Sequence, residues 1–373
     1  MDFGKYREEF PATKKLAWLN HAGAAPLSTR ARARIDDWAK AASGLLVYED
    51  PEWARVIRKV RRDAAGMMGC GADEVAFVST TSEGASLFAQ SLDWRVADNV
   101  VTASNEFPAN VYPWLNLKRR GVHVRMVKPT REGRVLIEGL LSAADSRTRV
   151  IAISWVGYNT GYRIDLARLG AECKKRGIHL FVDAIQGLGV FEMKSAEWGV
   201  TAAAAETHKW FLGTQGIALF YVSKDVVGGL NPPVVGWRSV KGREDFMTID
   251  FTLSDDATRF EAGCLNTVGI YILSGAMEIL GEVGMANVTG RVKELTDYLC
   301  EGAAKKGLEV LSPREGKEWS GIVSLRGPGG DGQAAAKVLG RKGVVVTGRA
   351  DFLRASPHFY NNAEDIDRML AEL

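Results

Sequence analysis

The chain predicts an α/β fold built on a mainly parallel, buried sheet, and three observations carry that expectation. Short apolar runs recur and end on polar residues, as strands buried on both faces do. From about Asp73 to Glu206 these runs alternate with helical patterns, the order that calls for crossover connections and parallel pairing. After Val222 the alternation gives way to turn clusters and loops, so a smaller C-terminal unit is expected. The 373 residues suffice for two domains, or for one large α/β domain with an appendage.

Composition narrows the function classes. Hydrophobic residues make up 46% and charged residues 25%, ordinary for a globular protein. A net charge of +3 implies no strong field for nucleic acid or membrane, so neither is expected as a partner. The first residues, Met1 to Glu9, are charged and lack the apolar core of a secretory signal. Cys70, Cys173, Cys264 and Cys300 lie far apart, without CxxC spacing or a disulfide framework, so a cytoplasmic setting is expected. No His/Cys cluster has metal-ligand spacing, and no metal is expected.

In chain order, Leu19-Asn20-His21-Ala22-Gly23 opens a small, turn-rich stretch, and a helical pattern starts after Ser28. Asp73–Val78 reads as a strand. The hydroxyl-rich turn Ser79–Ser82 and a helix follow. Such a helix start offers free N–H groups and a positive dipole end to an anion, although it also reads simply as a well-capped helix. Asn99–Thr102 is the next strand, leading into Asn105-Glu106-Phe107-Pro108. Arg149–Ser154 is another, ending in the turn Trp155–Gly161, which contains Tyr158 and Asn159. Leu166–Arg176 has amphipathic helical spacing, and Gly177 stops it. His179–Val182 is a strand with Asp183 at its end; Gln186 and the weak glycine pair Gly187-Leu188-Gly189 come next. Val200, Thr201 and the following alanines form one more strand, with Lys209 just past it and Ile217–Val222 at hairpin distance. Gly228–Pro233 is a turn cluster, a long helix is expected from about Val268 to Leu280, and strands are expected near Gly321–Leu325 and Val344–Thr347.

Ligands of open α/β sheets gather beyond the carboxyl ends of the strands. Asp183, Gln186, His208 and Lys209 should therefore meet in one crevice. A lysine and an aspartate at neighbouring strand ends suit pyridoxal 5′-phosphate, which needs an amine for its Schiff base and an acid facing its pyridine nitrogen. A surface Lys–Asp pair without chemistry has the same spacing.

Val182-Asp183-Ala184-Ile185-Gln186-Gly187 followed by Glu206-Thr207-His208-Lys209-Trp210-Phe211-Leu212-Gly213-Thr214-Gln215-Gly216 resembles the class V, fold-type-I pyridoxal phosphate enzymes: cysteine desulfurases, kynureninase and isopenicillin N epimerase-like proteins. The resemblance runs from Leu19–Gly23 to Leu353–Asn361. It implies the type I transferase fold, with a large domain over 20–255 and a smaller one formed by 1–19 and 256–373. It also implies a homodimer with shared sites, an amino acid substrate and pyridoxal 5′-phosphate as cofactor. Lys209 would form the Schiff base and then move the Cα proton. Asp183 would pair with the pyridinium, and Gln186 would reach the phenolic oxygen. His208 with the Thr81–Ser82 turn would bind phosphate. Phe107 would stack on the ring, because Pro108 stands where desulfurases carry a histidine. Tyr158 or Asn159 would lie near the phenolic oxygen or the substrate, and the Asn20 segment would line the substrate side. Trp237 and Cys264, the latter in place of the usual hydroxyl residue of Arg259–Cys264, would reach the neighbour's phosphate. Arg354 would grip the α-carboxylate. Apart from the resemblance, Arg349 is a second cation close by in the sequence that could instead hold a distal acid of the substrate. Glu206 departs from the desulfurase serine, which puts its contact with phosphate in doubt.

The expected reaction is aminotransferase-like or epimerase-like chemistry at Cα. A Cβ–S lyase is the alternative reading, and a non-enzymatic cofactor-binding protein a remoter one. Persulfide-type desulfurase activity is not expected, because Val346–Leu353 lacks the nucleophilic cysteine and is too short for its loop.

Overall fold

The computed structural model describes residues 1–44, 51–327 and 329–373. The chain begins with a single turn, α1 (Gly4–Arg7), and a short strand, β1 (Ala17–Trp18). Helix α2 (Thr29–Ser43) starts where Ser28 Oγ accepts the Ala31 N–H, the expected capping. Helix α3 (Pro51–Met68) buries Val56, Val60, Ala64 and Met68, a stripe at helical spacing. Strand β2 (Val75–Val78) is shorter than expected, because Ala72–Glu74 forms a 3-10 turn in which the Glu74 carboxylate accepts the Gly71 N–H.

Alternating elements follow: α4 (Thr81–Ser91), β3 (Asn99–Ala103), α5 (Tyr112–Leu115), β4 (His123–Val127), α6 (Ile137–Ala143), β5 (Thr148–Ser154), α7 (Leu166–Arg176) and β6 (His179–Asp183). Gly177 ends α7 at φ +65°, in the left-handed region. Strands β7 (Ala202–Glu206) and β8 (Ala218–Val222) complete the sheet, and α8 (Lys224–Val227) closes the alternation. The order is β2-β8-β7-β6-β5-β3-β4. Only β8 runs against its neighbours, so the sheet is mainly parallel, as expected. β2 and β7 both pair antiparallel with β8 and therefore point the same way. The carboxyl ends of β2, β5, β6 and β7 thus share one edge.

Alanine is a poor strand former, yet Ala202–Ala205 are fully buried in β7. Tertiary packing overrides propensity here: a Cβ built on Gly84 of α4 would lie 2.7 Å from the Ala204 Cβ. Small residues on both sides bring the start of α4 down onto β7.

Beyond Val222 the chain forms α9 (Thr267–Val283), longer than expected and buried nearly all round, and then α10 (Met285–Lys305), which carries no strong mark in the sequence. The two meet at an 82° bend, and no single helix among the described residues is long and apolar enough to cross a membrane. Next come β9 (Glu309–Val310), β10 (Val323–Arg326), α11 (Gly332–Arg341), β11 (Val344–Val345), β12 (Thr347–Gly348), β13 (Leu353–Ala355) and α12 (Ala363–Ala371). β12-β13-β10-β9 form an antiparallel sheet, while β11 pairs in parallel with β1. The expected single strand over Val344–Thr347 is therefore two strands serving different sheets. Arg354 also differs from expectation: it lies inside β13 rather than after a strand, paired with Ser324 and Thr347. Ala17, Leu19, Leu295, Leu299, Leu325, Leu339, Leu353 and Ile366 belong to an apolar cluster of their own, apart from the core under the large sheet.

Candidate active site

A cavity of about 320 Å³ opens at the shared carboxyl edge of β2, β5, β6 and β7. Each strand end delivers a functional side chain because the polypeptide leaves the sheet there and turns. Asp183 closes β6, and its Oδ1 accepts the Ile185 N–H at 3.1 Å. Glu206 closes β7, and Thr207, His208 and Lys209 continue past it. The turn after Lys209 is held by the Leu212 N–H to the Lys209 carbonyl, with Leu212 at φ +60°. That conformation disfavours a leucine by roughly 1 kcal/mol, so packing on every side of this buried residue must hold it. From β2 the chain passes into α4, whose first residues Thr81 and Ser82 line the cavity. Their amides precede the first intrahelical hydrogen bond and point out of the helix start.

Burial governs the charges. Lys209 is pushed down to about 8 by burial and by the nearby Arg354 and Arg349, against the pull of Asp183 and Glu206. Burial pushes Asp183 up to about 6, against the Ile185 amide and Lys209. These opposed shifts place an amine and a carboxyl group close to neutral pH in one cavity, the pattern of a reactive site. Glu206 is lowered: burial would raise it, but His208, the Gly216 amide and Lys209 outweigh burial. Its Oε1 accepts the Gly216 N–H and lies 3.4 Å from His208 Nδ1, close enough for charge attraction.

Gln186 is fixed at both ends. Its Oε1 accepts the Trp210 indole N–H at 2.9 Å, and its Nε2 donates to the Ala22 carbonyl at 3.0 Å. This sets the amide orientation and leaves one Nε2–H for the cavity. Behind it, the buried His358 accepts the Phe359 N–H at Nδ1, so its Nε2 carries the proton and donates to the Trp210 carbonyl. His21 donates from Nδ1 to the Ser356 carbonyl and accepts from the Tyr360 hydroxyl at Nε2. Burial pushes His358 down to about 4 and His21 well below the usual range, so both are neutral wedges behind Trp210.

At the other end of the cavity Arg354 donates to the Tyr158 carbonyl at 2.6 Å and to Thr347 Oγ1 at 3.4 Å. Burial and Arg349 lower it to about 10. It has no ion pair among the described residues. The acids after β13 do not serve it, because Asp365 is taken by Arg7 and Asn361. Phe107 lines the cavity with its ring edge-on to Tyr158 at 5.2 Å and with Lys209 Nζ 5.7 Å from its centroid.

The cavity therefore brings together Thr81, Ser82, Phe107, Tyr158, Asp183, Gln186, His208, Lys209 and Arg354 from the sequence-derived set, with Glu206 and Arg349. Asn20 is one step removed: its Oδ1 accepts from Thr347 Oγ1, which in turn accepts from Arg354. Trp237 and Cys264 lie elsewhere on the chain, Trp237 with its ring 5.7 Å from Phe246. None of the four cysteines lines the cavity, and burial pushes Cys70 and Cys173 up to about 12 and raises Cys300.

Sequence reading did not single out Glu106, Thr347 or Trp210. The buried Glu106 carboxylate accepts the Ser154 N–H at 2.9 Å, the Ser154 hydroxyl and the Asn110 side chain. Ser154 is the register partner of Asp183. Glu106 is raised to about 7 by burial and in part by Asp183, against those hydrogen bonds. Only its position before Phe107 hinted at this.

The donor set fits pyridoxal 5′-phosphate. Arg354 Nε is buried without a hydrogen-bond partner, Gln186 keeps one N–H, and the first turn of α4 keeps its amides. These are acceptor-seeking groups around a lysine, as a polyanionic carbonyl cofactor requires.

Known proteins agree. The model of the family described as "Aminotransferase class-V" matches residues 39–369. The uncharacterized aminotransferase YcbU of Bacillus subtilis (strain 168) is 28% identical over 374 residues, covering 99% of this chain and 96% of that protein. Isopenicillin N epimerase of Amycolatopsis lactamdurans is 24% identical, covering 98% and 96%. Among solved structures, the cystine C–S lyase C-DES in complex with its product cysteine persulfide superposes with a TM-score of 0.89 at 21% identity, covering 97% of this chain and 98% of that one, which carries the type I fold. On the family match over nearly its whole length, this chain belongs to the class V aminotransferase family of pyridoxal 5′-phosphate enzymes.

Proposed function

We propose that the enzyme acts at the Cα of an amino acid, in aminotransferase-like or epimerase-like chemistry. The observation that carries this reading is Lys209: a buried amine lowered to about 8, beside Asp183, in the cavity that also holds an arginine without an acid partner. When bound, pyridoxal phosphate supplies a carbonyl for the lysine amine and an electron-withdrawing ring that stabilises negative charge at Cα. Lys209 would hold the cofactor and then take or return the Cα proton, for which a pKa near the working pH suits it. Asp183 would keep the ring nitrogen protonated. Gln186 would donate to the phenolic oxygen, and His208 with Thr81 and Ser82 would hold the phosphate. Phe107 would cover the ring face, and Arg354 would hold the α-carboxylate, oriented through Tyr158, Thr347 and Asn20. Glu206, ionised beside His208, would keep that ring positioned rather than touch phosphate.

The proposal includes a cytoplasmic homodimer in which Trp237 and Cys264 serve the partner's cofactor. It also divides the chain into a large domain over 20–255 and a small one over 1–19 and 256–373. The β1–β11 pairing and the separate apolar cluster support grouping the N-terminal segment with the C-terminal part. The same position of the cysteines that speaks against a persulfide desulfurase leaves a Cβ–S lyase as the second reading, since that chemistry needs no enzyme thiol.

Borohydride reduction of the holoenzyme should fix the cofactor to the peptide containing Lys209. In unreduced holoenzyme, an amino acid panel should show Cα proton exchange with a 2-oxo acid or a racemised product. Pyruvate and sulfide from thiol amino acids would favour the lyase. No Cα exchange with any amino acid would defeat both readings.

A further inference from the structure

Two guanidinium groups line the cavity, and among the described residues neither meets an acid. Arg354 spends its terminal nitrogens on neutral oxygens, the Tyr158 carbonyl and Thr347 Oγ1. Arg349 lies with its guanidinium carbon 5.6 Å from the centroid of the Tyr158 ring. In both, Nε is buried without a hydrogen-bond partner. Away from the cavity Arg61, Arg7, Arg34 and Arg314 each meet a carboxylate, of Glu261, Asp365, Glu278 and Asp297, whereas Arg163 and Arg259 spend their donors on backbone carbonyls, Arg163 on Lys317 and Arg259 on Ser254, Val227 and Leu230. The cavity's own acids do not fill the gap. Glu206 lies against His208 and the Gly216 amide, and neither it nor Asp183 comes within ion-pair distance of either arginine.

Two like charges side by side in a partly dry cleft repel, and the arrangement persists only if something outside the chain rewards it. One carboxylate has two oxygens and saturates one guanidinium fork. Two forks, one fixed by the carbonyl of Tyr158 and the other against its ring, ask for two anionic groups.

We infer that the substrate is an amino acid with a second anionic group, a side-chain carboxylate or its equivalent, which Arg349 holds while Arg354 holds the α-carboxylate. The inference rests on the Cα reading above.

The test is the acid-to-amide ratio of kcat/KM in the holoenzyme, with aspartate, glutamate and 2-aminoadipate set against asparagine, glutamine and norleucine. The expected ratio for the best-fitting length is at least ~10, the worth of one charged hydrogen-bonded contact. In Arg349→Gln the ratio should fall to about 1, and in Arg349→Lys, which keeps the charge but loses the fork, it should lie between. Calorimetry gives a second readout free of turnover: succinate or glutarate should bind more tightly than butyrate, and Arg349→Gln should erase the difference. A wild-type ratio near 1, or a ratio that Arg349→Gln leaves in place, overturns the inference while Cα exchange on neutral amino acids keeps the broader reading standing. If no amino acid exchanges its Cα proton, the broader reading falls. The calorimetric comparison then decides this one alone: equal binding of dicarboxylate and monocarboxylate ends it.

Discussion

Arg354 is where one side chain decides the most. Its fork is anchored by neutral oxygens and its Nε is buried without a hydrogen-bond partner, so a lysine there would keep charge but lose bidentate geometry. Arg354→Lys is expected to retain cofactor and to lower kcat/KM by about 2–3 kcal/mol. Amines lacking a carboxylate should be poor substrates of the wild type and nearly indifferent to the change; equal losses on amines and amino acids would make the arginine structural. Lys209 offers a pH test in the apoprotein. Its folded pKa of about 8 lies below the ordinary 10.5, so between those values the unfolded chain binds more protons. Stability therefore rises with pH across that window, by an amount on the order of 3 kcal/mol. Urea midpoints at several pH values should show this gain in wild-type apoprotein and not in Lys209→Met; identical profiles would contradict a buried, depressed amine. That Lys209, Asp183 and His208 would meet in one cavity was legible before any coordinates, because all three sit at or just past strand ends. Glu106 and Thr347 were not, because they act through Ser154 and Arg354, and nothing in a sequence states who sits behind whom.

Among the elements, the contact of α4 with β7 positions Thr81 and Ser82, the proposed phosphate end of the site. Gly84 leaves no room for a side chain: an added Cβ would lie 2.7 Å from the Ala204 Cβ and 3.2 Å from the Phe220 ring. Gly84→Ala should push the start of α4, with Thr81 and Ser82, off the sheet. We expect a loss of about 1–3 kcal/mol and weaker cofactor binding, measured as thermal stability of the apoprotein and cofactor Kd. A stabilised variant with unchanged Kd would show that the helix start is placed by something else. Apolar runs identified the buried strands of the large sheet, since strands buried on both faces have few other readings, but β4 (His123–Val127), an edge strand that is half exposed, carries no such run and was missed. The break at Val346 was hidden, because a four-residue β-branched run gives no sign that its two halves pair with β1 and β13. Helix α10 escaped for a related reason: its stripe begins only one residue past α9, and the 82° bend is set by packing.

At the scale of the whole molecule, Trp237 and Cys264 stand apart from the cavity of their own chain. The loop that carries Trp237 exposes Phe246, Met247, Ile249 and Phe251, with Met247 93% and Ile249 95% exposed. A run of large apolar side chains in water marks a contact surface, in keeping with the proposed homodimer. Mixing Lys209→Ala subunits with subunits carrying Trp237→Ala should restore part of the activity through hybrid sites in which one cofactor pocket is intact. Full activity of a monomer at high dilution, or no recovery on mixing despite exchange of subunits, would rule out shared sites.

By itself the sequence determined the α/β class and the residues that sit on strand ends, because those depend on periodicity, and its resemblance to the class V family, carried by short local motifs, determined the cofactor. Tertiary structure alone decided that Arg354 lies inside β13, that Asn20 reaches the site only through Thr347, and that Gln186 is locked by Trp210 and Ala22. It also decided that Asp365 answers Arg7, while among the described residues no acid pairs with Arg354 or Arg349. Ion pairs and hydrogen bonds form between groups hundreds of residues apart along the chain, and burial, which sets the charges of Lys209 and Asp183, exists only once the sheets have packed.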